Sequence, residues 1–340
     1  MRALVIENDL LSTTVLLDQG ADLNSLVYKP RGINVLWTPP RPPRESGVGP
    51  APAGDSQALW LAYYRGGWQV IFPNFGPPVE YKGAPLDMHG EAARTVWQLE
   101  EIESDGERVQ VTLSVVLLKS PFHIKRVMSL QAGQPVLVIE ETITNDGPEA
   151  MDCMWGHHPA FGPPLLSHEC VLDTGARAVE SDDSYDVPAN DLPLGTSWSW
   201  PIARNSQGQE IDLSRVPPAG AGFSRLMFLK EFEEPWYALT NPQLELGIGL
   251  VWNKELFPYV CLYQETGGVT DYPWYGEAYA VMIEPNSSYP GQGLIAAMEK
   301  TGTELTFAPG ESRTLELCAV FYEGSRRVAR IAPDGTVQRS

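Results

Sequence analysis

The sequence predicts an all-β protein built from two large, packed antiparallel sheets. Three observations carry that reading. Runs such as "VQVTLSVVLL" (109–118), "HIKRVMSL" (123–130), "VLVIEETITN" (136–145), "LELGIGLVW" (244–252) and "AYAVMIEP" (278–285) are rich in β-branched and aromatic residues. Several of them alternate polar and apolar positions, the pattern of a strand with one buried face. Turn-forming stretches such as "ESDGE" (103–107), "QAGQP" (131–135) and "APGES" (308–312) separate them. Helical periodicity is scarce, and so many strands with so little helix favour sheet packed on sheet.

Along the chain, "MRALVIENDLLSTTVLLDQG" is broken by Glu7 and Asp9 and lacks a leader's continuous apolar region, so it reads as first strand rather than signal peptide. The Pro/Gly-dense "TPPRPPRESGVGPAPAGDSQ" (38–57) cannot be a strand and comes too early to link domains, so a long surface loop near a cleft is expected. Further strands are expected at "STTVLL" (12–17), "NVLW" (34–37), "SRLMFL" (224–229), "WYALT" (236–240), "YVCLYQ" (259–264) and "RTLELCAVF" (313–321). "VLVIEETITNDGPEAMDCMW" (136–155) reads as a hairpin with Asp146-Gly147 supplying a positive-φ turn residue. Residues 291–302 could form a turn or two of helix. With no fixed-period repeat, the expectation is one domain spanning 1–340.

Composition narrows function. Against 24 Lys+Arg stand 43 Asp+Glu, a formal charge of −19. A field of that sign repels nucleic-acid phosphates and anionic lipid, so neither is an expected partner. No run reaches membrane-spanning length. Four scattered cysteines without a C-x-x-C pair read as core thiols in a reducing compartment, hence a cytoplasmic protein. It is expected as a monomer or homodimer.

Two of the five histidines stand together in "MWGHHPAFG" (154–162). If that segment is extended, His157 and His158 point to opposite sheet faces and cannot easily share an ion. No H-x-H or H-E-x-x-H spacing is present, so no metal and no other cofactor is expected. "DMHGEAARTVW" (87–97) and "AVMIEPNSSYPG" (281–291) likewise set an ionisable residue beside Gly or Pro and near aromatics. Glu284 ends an apolar strand; aimed into a cleft, its pKa would rise and make it a usable general base. Trp- and Tyr-rich "RGGWQVIFPNFG" (65–76) and "YPWYGEAY" (272–279) suit the C–H faces of sugar rings, although such aromatics are more often core.

Taken in order, Gly66-Gly67-Trp68 with Pro73-Asn74-Phe75-Gly76, then Met88-His89-Gly90-Glu91, then "HHPAF" and a late Glu284-Pro285 resemble the aldose 1-epimerase (galactose mutarotase-like) family. The resemblance runs from about Gly66 to Phe321 and implies a large antiparallel β-supersandwich. It implies that His89 binds the sugar, that His158 is the general acid and that Glu284 is the general base. The implied reaction interconverts the anomers of a free aldose without a cofactor, by ring opening and reclosure between an acid and a base on opposite sides of the sugar. The family's sugar-binding arginine is absent; Gln69 and Asn74 occupy its neighbourhood, and Arg94 is a substitute cation. The family's substrate-binding aspartate has no match, and Ala160 replaces the tyrosine of the "HPYF"-like run. Trp68, Gln69, Asn74, Arg94 and Tyr275 are therefore expected at the cleft, with His157 turned into the core.

The alternatives are a non-catalytic or regulatory carbohydrate-binding protein, a hexose-phosphate epimerase and a carbohydrate hydrolase or lyase. The phosphate epimerase would need a cationic rim, for which Arg94, Lys82 and Arg65 are candidates. Hydrolysis would need a second carboxylate, for which Glu277 and Asp87 are weak candidates.

Overall fold

The computed structural model describes residues 1–41 and 56–339. Most of the proline-rich stretch expected as a loop, 42–55, lies outside the described residues.

Among the described residues, an eleven-stranded and an eight-stranded sheet dominate, both antiparallel throughout. The centre of the larger sheet runs Asp22–Tyr28, Trp68–Ile71, Gly156–Phe161, Tyr279–Asn286, Tyr259–Thr266, Ser224–Lys230. The smaller sheet is centred on Leu246–Trp252, Ser312–Glu323, Val136–Asn145 and Phe122–Gln131. Val70, Phe161, Leu262 and Ile283 of the first sheet join Met128, Ile139, Ile248 and Leu317 of the second in one buried apolar cluster. Two large antiparallel sheets packed on one core is the architecture the sequence predicts.

Strand alternation explains why the larger sheet can bury both faces. In Tyr279–Asn286, Val281 and Ile283 enter the main core while Ala280 and Met282 pack on the outer side with Trp37, Trp60 and Tyr64. The outer face is covered by loops and by helix α1 (Ser56–Tyr63), whose Gln-Ala-Leu content favours a helix and which precedes the positive-φ Gly66 and Gly67. The short helix expected near 291–302 is present as α2 (Leu294–Lys300).

The expected hairpin over 136–155 does not form. Val136–Asn145 pairs with Phe122–Gln131 and Ser312–Glu323, whereas Met151–Cys153 pairs with Leu305–Phe307. Gly147 does not take up positive φ; a Cβ there would sit 2.9 Å from the Pro121 ring, so close approach rather than turn geometry calls for glycine. All four cysteines are buried and unpaired. Among the described residues, no helix is long and apolar enough to cross a membrane.

Candidate active site

Adjacent histidines on one strand meet two different environments. His157 faces the core, where its Nδ1 accepts a hydrogen bond from Trp68 Nε1 at 3.0 Å, which leaves Nε2 to donate to Glu141 Oε2 at 3.1 Å. Glu141 also pairs with Arg126 at 2.5 Å and accepts from Trp155 Nε1 at 3.2 Å. Arg126 in turn donates to Ala21 O and lies over the Trp97 ring. Burial pushes the Glu141 carboxyl up, but the Arg126 guanidinium and the His157 ring outweigh it and hold it at about 2.

His158 points the other way, into a cavity of about 380 Å³ on the outer face of the sheet. The register Gly156↔Asn286 and Ala160↔Met282 sets it opposite Glu284 on the neighbouring strand. Its Nε2 lies 3.7 Å from Glu284 Oε1, too far for a direct hydrogen bond but close enough for one ligand oxygen to reach both. On the other side, His158 Nδ1 is 3.4 Å from the Tyr64 hydroxyl. Burial drives the His158 imidazole down to about 4 and the Glu284 carboxyl well above the usual carboxylate range. Glu284 Oε2 has no hydrogen-bond partner among the described residues. Both groups therefore favour their neutral forms, and the pair holds one exchangeable proton.

His89 completes the group. Its ring lies between Trp60, at 4.6 Å between centroids, and Phe75, at 5.6 Å, and is 5.3 Å from His158. The residue has a φ of 57°, a left-handed conformation held by its N–H donating to Gly76 O. Gly90 follows at φ 76°, where a Cβ would come within 2.1 Å of Phe72 O, so this turn admits only glycine there. His89 Nδ1 faces the Gly76 N–H at 3.4 Å, leaving Nε2 as a donor. Burial lowers the His89 imidazole well below the ordinary range, and neighbouring His158 adds to this.

Of the expected site residues, then, His89, His158 and Glu284 converge on one cavity; the other five do not line it. Trp68 is buried in the core and spent on His157: being one residue from Gln69, it must face the opposite side of the sheet. Asn74 is also buried, and its amide is used up as structure. Its Nδ2 donates to Pro77 O and Asp87 O, while its Oδ1 accepts the Leu294 N–H at the start of α2. Tyr275 is 51% exposed beside Arg41, because the turn holding it presents Trp274 to the cavity instead. Gln69 and Arg94 line a separate, smaller cavity.

A family profile whose description is Domain of unknown function (DUF4432) accounts for residues 1–192, more than half of the chain. The chain belongs to the DUF4432 family. No curated protein sequence matches it. Solved structures do resemble it in fold. A galactose mutarotase-like protein from Clostridium acetobutylicum superposes with a TM-score of 0.68 at 14% identity, covering 94% of this chain and 95% of that one. A galactose mutarotase-like protein from Lactobacillus casei gives 0.63 at 20% identity over 94% and 100%. The Slr1438 protein from Synechocystis gives 0.67 at 16% identity over 95% and 96%.

Sequence reasoning missed most of the cavity's lining. Trp37, Trp60, Tyr64 and Trp274 form a contiguous aromatic wall, with centroid separations of 5.1–6.0 Å. Tyr263 and Glu265 line the cavity from the strand next to Glu284. Glu265 Oε1 accepts the N–H groups of Gly267, Gly268 and Val269, and Oε2 accepts from the Tyr263 hydroxyl. Asp182 also lines it, held by Ser184 and Gln292. The signal for Cys261, Tyr263 and Glu265 was their i, i+2, i+4 spacing, which matches Ala280, Met282 and Glu284 on the adjoining strand.

Proposed function

We propose that this protein is a cofactor-independent isomerase of the aldose 1-epimerase type, interconverting the α and β anomers of a free aldose. The observation that carries the reading is the buried, side-by-side pair of Glu284 Oε1 and His158 Nε2, 3.7 Å apart in a cavity walled by aromatic rings.

The chemistry needs two oxygens served at once. The anomeric hydroxyl oxygen O1 and the ring oxygen O5 are bonded to the same carbon, so an adjacent acid and base can reach both. A pair flanking the ring from opposite sides is not required, and the geometry here is not of that kind. The base removes the O1 proton, the C1–O5 bond breaks, and the acid protonates O5, giving the open-chain aldehyde. Rotation about C1–C2 and the reverse transfers close the ring with the other configuration.

Glu284 as base and His158 as acid operate from the charge-separated form of the pair. Burial favours the neutral form, so the open-chain state, in which the proton lies on Glu284 and His158 is neutral, is the one the bare cavity electrostatically prefers. His89 Nε2 then orients a hydroxyl, and Trp60 and Trp274 offer faces to the ring's C–H groups.

A free sugar is favoured over a phosphorylated one. Asp182, Glu265 and Glu284 line the cavity, and no Lys or Arg among the described residues does; a phosphate there would be an uncompensated anion among carboxyl groups. The test is an NMR time course of anomer interconversion for a panel of free aldoses and their 6-phosphates. Acceleration confined to free aldoses supports the reading. Saturable sugar binding without acceleration of any aldose would identify a carbohydrate-binding protein instead, and acceleration of 6-phosphates alone would exclude the free-sugar assignment.

A further inference from the structure

The smaller cavity, about 150 Å³, is lined by Asp22, Trp60, Tyr63, Tyr64, Gln69 and Arg94 among others. It shares Trp60 and Tyr64 with the large cavity, so those two rings form a common wall. Its polar groups are incompletely paired. Gln69 Nε2 donates to Asp22 Oδ2 at 3.1 Å and to Gly66 O at 2.6 Å. Asp22 Oδ1 and Gln69 Oε1, both on residues at least nine-tenths buried, have no partner among the described residues. The half-buried Arg94 guanidinium likewise forms no ion pair or side-chain hydrogen bond among them. Unpaired buried polar atoms are costly, and two of them beside one cavity, with a half-buried guanidinium also lining it, call for a ligand that satisfies them. A single structural water does not suffice, because the space is roughly ten times what one water needs.

We propose that this cavity is a second binding site, distinct from the one holding His158 and Glu284, for a neutral polyhydroxy compound of about sugar-ring size. Burial pushes the Asp22 carboxyl well above the usual carboxylate range and outweighs the Gln69 hydrogen bond and the Arg126 and Arg65 charges that oppose it, so the protonated acid is favoured. With Oδ2 accepting from Gln69, the proton belongs on Oδ1. That leaves a donor at Asp22 Oδ1 beside an acceptor at Gln69 Oε1, the complement of a hydroxyl that both accepts and donates. Arg94 supplies donors for a second hydroxyl oxygen, and the Trp60, Tyr63 and Tyr64 rings supply an apolar wall for C–H groups. An isolated cation is matched less well, since Arg94 would repel it.

The test uses myo-inositol, a ring polyol with no anomeric carbon, so its binding does not depend on whether the large cavity turns over a sugar. Titration calorimetry on the wild-type protein should show saturable binding. Arg94→Ala and Gln69→Leu should each weaken it about tenfold or more, while Asp182→Asn, at a residue that lines the large cavity and not the smaller one, leaves it unchanged. Arg94 is half-buried and its side chain makes no ion pair or hydrogen bond among the described residues, so the test survives if Gln69→Leu fails to fold. No saturable binding of myo-inositol or of D-glucose overturns the proposal. So does binding that Arg94→Ala spares and Asp182→Asn weakens, which would put the ligand in the large cavity.

Discussion

The two faces of the Gly156–Phe161 strand treat the same side chain in opposite ways. On the core face, His157 joins Arg126, Glu141, Trp155 and Trp68 in a network where each partner supplies the charge or hydrogen bond another needs. One residue later, His158 and Glu284 are also buried, yet Glu284 Oε2 has no partner among the described residues and both groups are pushed towards neutrality. Burial alone does not decide whether an ionisable group stabilises the fold or stays reactive. What decides it is whether the surrounding sheet face brings a complementary group.

That contrast can be broken most directly by turnover. Glu284→Gln and His158→Gln should each reduce anomer interconversion by roughly a hundredfold to ten-thousandfold while the protein melts near the wild-type temperature. A large loss of stability with turnover intact would mean that the cavity face, too, is structural. On the core face the expectation reverses. Glu141→Gln leaves Arg126 buried without its counter-charge and should cost about 3–5 kcal/mol in denaturant unfolding, with whatever protein remains folded still active. His157→Asn should act in the same direction and more weakly. A well-folded His157→Asn protein without turnover, beside an active His158→Gln, would exchange the two assignments.

The pH dependence of stability sharpens the comparison. The folded His158 value of about 4 lies below the ordinary 6.5, so between those limits the unfolded chain binds more protons and stability falls as pH drops. Glu284 is raised, so above the ordinary carboxylate range the folded chain holds the extra proton and stability falls as pH rises towards its folded pKa. His158→Gln should reduce the first slope and Glu284→Gln the second, with the buried His89 and Asp22 carrying the remainder, read from denaturant midpoints across pH. If neither slope changes, the two groups are not buried as described. The smallest effect is expected at the rim of the pair: His89→Asn should raise KM by about tenfold or less with kcat largely kept, since it removes a ground-state contact. A selective fall in kcat would move His89 into the proton-transfer machinery.

The divergence of His157 and His158 was legible in the sequence because alternation is a local property of extended backbone: adjacent side chains must leave on opposite faces whatever the strand pairs with. For the same reason the strand runs and the sheet-on-sheet architecture could be read from residue order alone, and the short helix near 291–302 from its own local composition. The same alternation also separates Trp68 from Gln69, but it does not say which of the two faces the cavity. That depended on pairing with the His158 strand, in the register His158↔Gln69, across 89 residues of sequence. Asn74 looked like a sugar ligand until α2, more than two hundred residues later, used its carbonyl for an orphan helix N–H. The turn before the Tyr279–Asn286 strand chose Trp274 over Tyr275 by backbone conformation, with Tyr275 itself at positive φ. Sequence determined which residues share a face within each strand, since that follows from two dihedral angles per residue. Only the tertiary structure decided which faces meet, because strand register is set by contacts distant in the chain.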